Sequence, residues 1–146
     1  MPVLNERGII QKLNWFYSLE MNQVDLYLAQ SKQVDDIYLK KALERVAIIE
    51  EQHVNNISDM ITQYGGQPTV IGEFVAPLTG KIAGDLTGRV GINNLLKANI
   101  ALEQKAMKDY QDFILQAARH QELSNLLWNN LIDEDLHTAW FSNYLA

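Results

Sequence analysis

A series with helical spacing runs through Leu123, Leu127, Asn130, Glu134, His137, Phe141 and Tyr144. Leu131, Ile132, Leu136, Trp140 and Phe141 further mark this stretch as a packed amphipathic helix. Yet the middle of the series holds a glutamate and a histidine one turn apart. The same pair, Glu50 and His53, sits inside the series Leu39, Leu43, Val46, Ile57, Ile61 and Tyr64. Any fold open to this chain must therefore place two Glu-x-x-His pairs on inward helix faces, where an uncompensated charge is costly.

The rest of the chain shares the helical period. Leu13, Phe16, Tyr17, Val24, Tyr27 and Leu28 predict a helix over roughly 4–31, and the Leu39 series predicts one over roughly 34–64. Leu96, Met107, Tyr110, Ile114 and Ala117 predict a third over about 92–119, and the Leu123 series a fourth over about 122–144. Two glycines and a proline in "YGGQP", residues 64–68, stop the second helix. No run combines two-residue alternation with turn signals, so no strand is expected. Short links join helices one to two and three to four, whereas residues 65–91 are long enough to run the length of a bundle. The expectation is an all-α domain spanning 1–146: a four-helix bundle of two antiparallel hairpins joined by one long crossover.

The crossover has its own pattern. Ile71, Phe74, Val75, Leu78, Ile82, Leu86 and Val90 have helical spacing, Gly72, Ala76, Gly80, Gly84 and Gly88 recur every fourth residue, and Pro77 breaks or kinks any helix here. A small-residue stripe lets another backbone approach closely. Two readings stay open: a connection packed on the bundle, or a membrane-interface or quinone-binding surface at residues 70–90.

Composition removes several function classes. The chain of 146 residues has no cysteine, which excludes a disulfide framework, a thiolate metal site and a rubredoxin-type centre of its own. The net charge is −6 and the basic residues form no run, so nucleic acid is not an expected partner. The start, "MPVLNERGIIQKLNW", lacks the apolar stretch of a signal peptide, and no window is long and apolar enough to span a membrane. A soluble cytoplasmic protein is expected.

The remaining ionisable residues complete the pattern. Glu20 lies four after Phe16 and four before Val24, and Glu103 lies in the series 96, 99, 103, 107, 110, 114. Each helix thus contributes one inward glutamate, and the second and fourth each add a histidine. Residues three apart on a helix are neighbours, so each Glu–His pair can grip one ion. Four carboxylates converging in an apolar bundle repel one another and lose hydration, at several kcal/mol for each uncompensated ion. Protonation would relieve part of this. Two divalent cations would neutralise all four charges, and an oxygen-rich set with one nitrogen per metal suits iron or manganese better than zinc. His120, beside Arg119 near the third turn, has no such setting and is expected to face solvent, as are Glu44, Glu51 and Asp135.

The pattern Glu20, Glu50-x-x-His53, long crossover, Glu103, Glu134-x-x-His137 resembles the ferritin-like di-iron carboxylate superfamily, which includes bacterioferritin, rubrerythrin and demethoxyubiquinone hydroxylase. The resemblance covers nearly the whole chain. It implies two iron ions, with Glu20 and Glu103 as terminal ligands, Glu50 and Glu134 bridging, and His53 and His137 binding one iron each. The halves look like an internal repeat, for Tyr27 follows Glu20 by seven residues and Tyr110 follows Glu103 by seven. Each phenol would either donate to a ligand carboxylate on a facing helix, as such tyrosines do in related sites, or simply fill the core. Asp133 matches a position that in bacterioferritin supports a histidine; its counterpart here is Ile49, which leaves that support one-sided.

Departures from the family pattern narrow the function. Ala106 stands where rubrerythrin has a further glutamate, and Glu51 stands where bacterioferritin has its haem-ligating methionine. A rubrerythrin-type reaction would thus need an altered centre and an external electron donor, and no haem is expected. The expected function is a non-haem di-iron oxidoreductase reacting with oxygen or peroxide. The alternative is ferritin-like iron binding or storage without an organic substrate. A homodimer is the expected assembly.

Overall fold

In the computed structural model, which describes residues 4–71 and 89–145, the described residues form four helices and no strand: α1 (Glu6–Gln33), α2 (Ile37–Gln63), α3 (Arg89–Gln116) and α4 (Gln121–Leu145). They pack as two hairpins, α1 on α2 and α3 on α4. In the first, His53 lies beside Glu20 while Gly66 lies beside Ile10. In the second, His137 lies beside Glu103 and Asn130 beside Tyr110. As one helix advances its partner recedes, so both hairpins are antiparallel.

Local chemistry sets most helix ends. Asp36 caps α2, its carboxylate accepting from the Tyr38 amide at 2.9 Å. Such a cap satisfies an amide that has no partner within the helix. At the other end Gly65 adopts φ 83°, a conformation that favours glycine. There the Gly65 amide donates to the Thr62 carbonyl and the Gly66 amide to the Ile61 carbonyl, both at 2.9 Å, which closes the helix. The α3–α4 turn uses neither glycine nor proline. Ala117 donates back to Phe113 and the His120 amide to Ala117, both at 2.9 Å, while the His120 carbonyl accepts from Ser124 at 2.8 Å. Helix α3 therefore ends three residues before the expected limit of 119, because Ala117 turns inward and is fully buried. It also begins at 89 rather than 92.

The first residues of the crossover are laced onto α1. Asn14 Oδ1 accepts from the Thr69 amide at 2.7 Å, and Ser18 Oγ accepts from the Ile71 amide at 2.7 Å. The Ser18 hydroxyl faces the carbonyls of Asn14 (2.9 Å) and Thr69 (3.3 Å). Contact is close enough that a Cβ on Gly66 would come within 2.7 Å of Ile10 Cγ2. Residues 72–88 lie outside those described, and with them nearly all of the expected surface at 70–90.

The core follows the apolar series with two corrections. Leu13, Phe16, Tyr27, Leu39, Leu43, Ile57 and Ile61 are buried on α1–α2, as are Leu96, Tyr110, Phe113, Leu123, Leu127 and Phe141 on α3–α4. Each full burial of a Leu or Phe side chain contributes about 1.5–3 kcal/mol. Leu28, however, is exposed, because the inward face of α1 continues through Gln30 and Ser31 instead. On α4, Ile132 and Leu136 are exposed together with Trp128, at four-residue spacing on a second, outward stripe. No helix among the described residues is long and apolar enough to cross a membrane.

Candidate metal centre

Glu20 on α1 and Glu50 and His53 on α2 meet inside the first hairpin. Both carboxylates are fully buried and His53 nearly so. His53 Nδ1 lies 3.3 Å from Glu20 Oε2 and 3.7 Å from Glu50 Oε1. The second hairpin repeats the arrangement with Glu103 on α3 and Glu134 and His137 on α4. All three are buried, and His137 Nδ1 lies 3.6 Å from Glu103 Oε1 and 4.0 Å from Glu134 Oε1. Within each triad one donor atom per residue can be chosen so that all lie within 4.8 Å of one another.

These spacings fit a shared cation. Two ligand atoms each ~2.1 Å from an ion stand ~3.0 Å apart at a right angle and ~3.6 Å apart at 120°. The four Nδ1–carboxylate distances cluster at and just beyond that range, and only the shortest is also a hydrogen bond. The chemistry agrees: two hard carboxylates and one imidazole are the donors that iron and manganese take. Burial supplies the driving force, since an ion bound between the carboxylates removes the repulsion of adjacent charges stripped of water.

The tyrosines and amides around the triads differ between hairpins. Tyr27 and Tyr110 are both fully buried. The Tyr110 oxygen accepts from Asn130 Nδ2 at 3.2 Å. Asn99, one turn before Glu103, is fully buried, as is Gln23, one turn after Glu20. A carboxylate can only accept, so the Gln23 amide must present its nitrogen to the site. In that orientation it donates to Glu50 Oε2 at 2.6 Å and to Glu20 Oε2 at 3.3 Å. The inward series of the sequence include Asn99 and Asn130 but give them no role, and Gln23 stands outside them. The available signal was the place of Asn99 and Asn130 on the inward faces, where an amide needs a partner.

The other sequence candidates fall outside the triads. Asp133 is half-buried. Glu51 and Asp135 are exposed as expected, and Glu44 pairs with Lys41 at 3.2 Å. His120 is half-buried rather than solvent-facing, because its backbone is drawn into the α3–α4 turn.

Residues 10–146 match the family described as the ferritin-like domain. The chain belongs to that family. None of the curated proteins matches it in sequence. Among solved structures, the bacterioferritin-related dodecameric thioferritin of Bacteroides fragilis superposes with a TM-score of 0.84 at 21% identity, over 97% of this chain and 86% of that one. The bacterioferritin of Desulfovibrio desulfuricans superposes with a TM-score of 0.78 at 20% identity, over 96% of this chain and 79% of that one. The fold is thus the ferritin-like four-helix bundle.

Proposed function

We propose that the two triads are halves of one di-iron carboxylate centre at which Fe(II) is oxidised by oxygen or peroxide. One observation carries the reading: a buried Glu–Glu–His set, with donors spaced for a cation, occurs twice in a member of the ferritin-like domain family. The Desulfovibrio neighbour is itself described as having a diiron site. In this reading Glu20 and Glu103 would be terminal ligands, Glu50 and Glu134 would bridge, and His53 and His137 would each serve one ion. Two bound irons supply the electrons that reduce oxygen or peroxide, and manganese suits the same donors. The chain's own part is to fix the donors and exclude water. Tyr27 and Tyr110 would each donate to a ligand carboxylate on a facing helix, and Asp133 would support a histidine across the bundle, one-sidedly, since its counterpart is Ile49. With no cysteine to build a rubredoxin-type site, the chain draws electrons from an external donor. We place it in the cytoplasm as a homo-oligomer.

The test is anaerobic loading with Fe(II) followed by admission of air. Two irons per chain, a near-ultraviolet absorption band and iron oxidation faster than in buffer are expected. Oxidation no faster than without the protein overturns the reading. Storage is the second reading, favoured by the dodecameric state of the Bacteroides neighbour. Light scattering separates the two: a closed shell of dodecamer size or larger supports storage, and a dimer opposes it.

A further inference from the structure

The hairpins are related by a register that pairs Glu20 with Glu103, Tyr27 with Tyr110, Glu50 with Glu134 and His53 with His137. The same register pairs Gln23 with Ala106, both fully buried. One half thus has an amide donor beside its triad at a position where the other has a methyl group. Gln23 spans both carboxylates of its hairpin, reaching Glu50 Oε2 at 2.6 Å and Glu20 Oε2 at 3.3 Å. Glu50 is left with Oε1 toward His53 Nδ1, at 3.7 Å.

Two consequences follow for an incoming ion. The one amide nitrogen reaches an oxygen of each carboxylate, so Glu20 and Glu50 are held close together before any cation arrives. It also fixes the rotamers of both side chains, so less conformational entropy is lost on binding. Outer hydrogen bonds of this kind are worth about 10- to 100-fold in metal affinity. The shortest imidazole–carboxylate distance of the four belongs to this half, as expected for a set drawn together in advance.

We infer that Gln23 is a positioning residue that makes the two half-sites unequal, so that metal loads in two steps, first at Glu20, Glu50 and His53 and then at Glu103, Glu134 and His137. The inference rests on the di-iron reading above. It assigns that centre an order of filling, and it makes the singly loaded protein a defined species.

Co(II) titrated anaerobically into the full-length protein, followed by calorimetry and visible absorption, provides the test. The native protein binds one ion per chain tightly and a second about 10- to 100-fold more weakly. Gln23→Met keeps the volume and removes the donor; it weakens the first step by a similar factor and the second by clearly less, through the shared Glu50 alone. A first step that does not move, or an equal loss in both steps, overturns the inference, the latter because it marks Gln23 as merely structural. Loading order is read independently of that variant's folding. His53→Ala removes the tight step and His137→Ala the weak one; the reverse assignment, or two equal steps in the native protein, also overturns it. If the native protein binds no Co(II), the di-iron reading fails and this inference falls with it. Two equal steps sink the inference alone.

Discussion

Set in register, the α1–α2 and α3–α4 hairpins agree at the Glu and His residues of the triads and differ around them. Leu13 and Leu96, Tyr27 and Tyr110, Leu39 and Leu123, and Leu43 and Leu127 occupy matching buried positions, as do the six Glu and His residues. The mismatches trade apolar for polar. Phe16 faces Asn99 in the register, Gln23 faces Ala106, Gln30 faces Phe113 and Val46 faces Asn130, and all eight are buried. On the di-iron reading, a metal's strict demands on its ligand atoms account for the constancy of the triads. The layer behind them has only to satisfy its own hydrogen bonds, and it does so differently in each half.

The comparison breaks most completely at the carboxylates proposed to bridge. Glu50→Ala and Glu134→Ala are each expected to abolish tight two-metal binding, read as ions per chain by elemental analysis. Symmetric losses support equal bridging, and retention of two ions by either variant removes that residue from the centre. The next effect tests the apolar framework. Leu43→Ala and Leu127→Ala each delete a fully buried leucine at matching positions and should cost about 2–5 kcal/mol in denaturant unfolding. A large difference between them would mean that one hairpin carries more of the stability. Tyr110→Phe comes third: it leaves the buried Asn130 amide without its phenol acceptor, at about 1–3 kcal/mol. Tyr27→Phe then shows whether its twin serves a like purpose. The smallest effect is at the turns, where Asp36→Ala should cost about 1 kcal/mol through loss of the α2 cap.

Much of this arrangement is legible in the sequence, because the helical period places residues on faces. Glu20, Glu50, His53, Glu103, Glu134 and His137 all lie in apolar series, and their burial follows from that placement. The glycines of 64–68 mark the end of α2 in the same way. What escapes is whatever depends on register between helices. That Gln23 reaches Glu50, or that Asn130 reaches Tyr110, depends on how one helix is set along another, and periodicity within a helix carries no such information. The α3–α4 turn escapes for a different reason. Residues 115–119, Leu-Gln-Ala-Ala-Arg, are strong helix formers, so the reversal at Ala117 comes from tertiary packing against local propensity. Trp128, Ile132 and Leu136 mislead in the opposite sense: apolar character alone does not say which of two stripes on α4 faces inward.

The lacing of the crossover onto α1 has a consequence for observation. Ser18, which holds the Ile71 amide, lies two residues before Glu20, and Asn14, which holds the Thr69 amide, lies one turn earlier. Two amide protons outside every helix are thus tethered to the stretch of α1 that presents Glu20. Their exchange with deuterium is a gauge of that stretch's rigidity. The amides of Thr69 and Ile71 make it readable residue by residue, without touching the triads themselves.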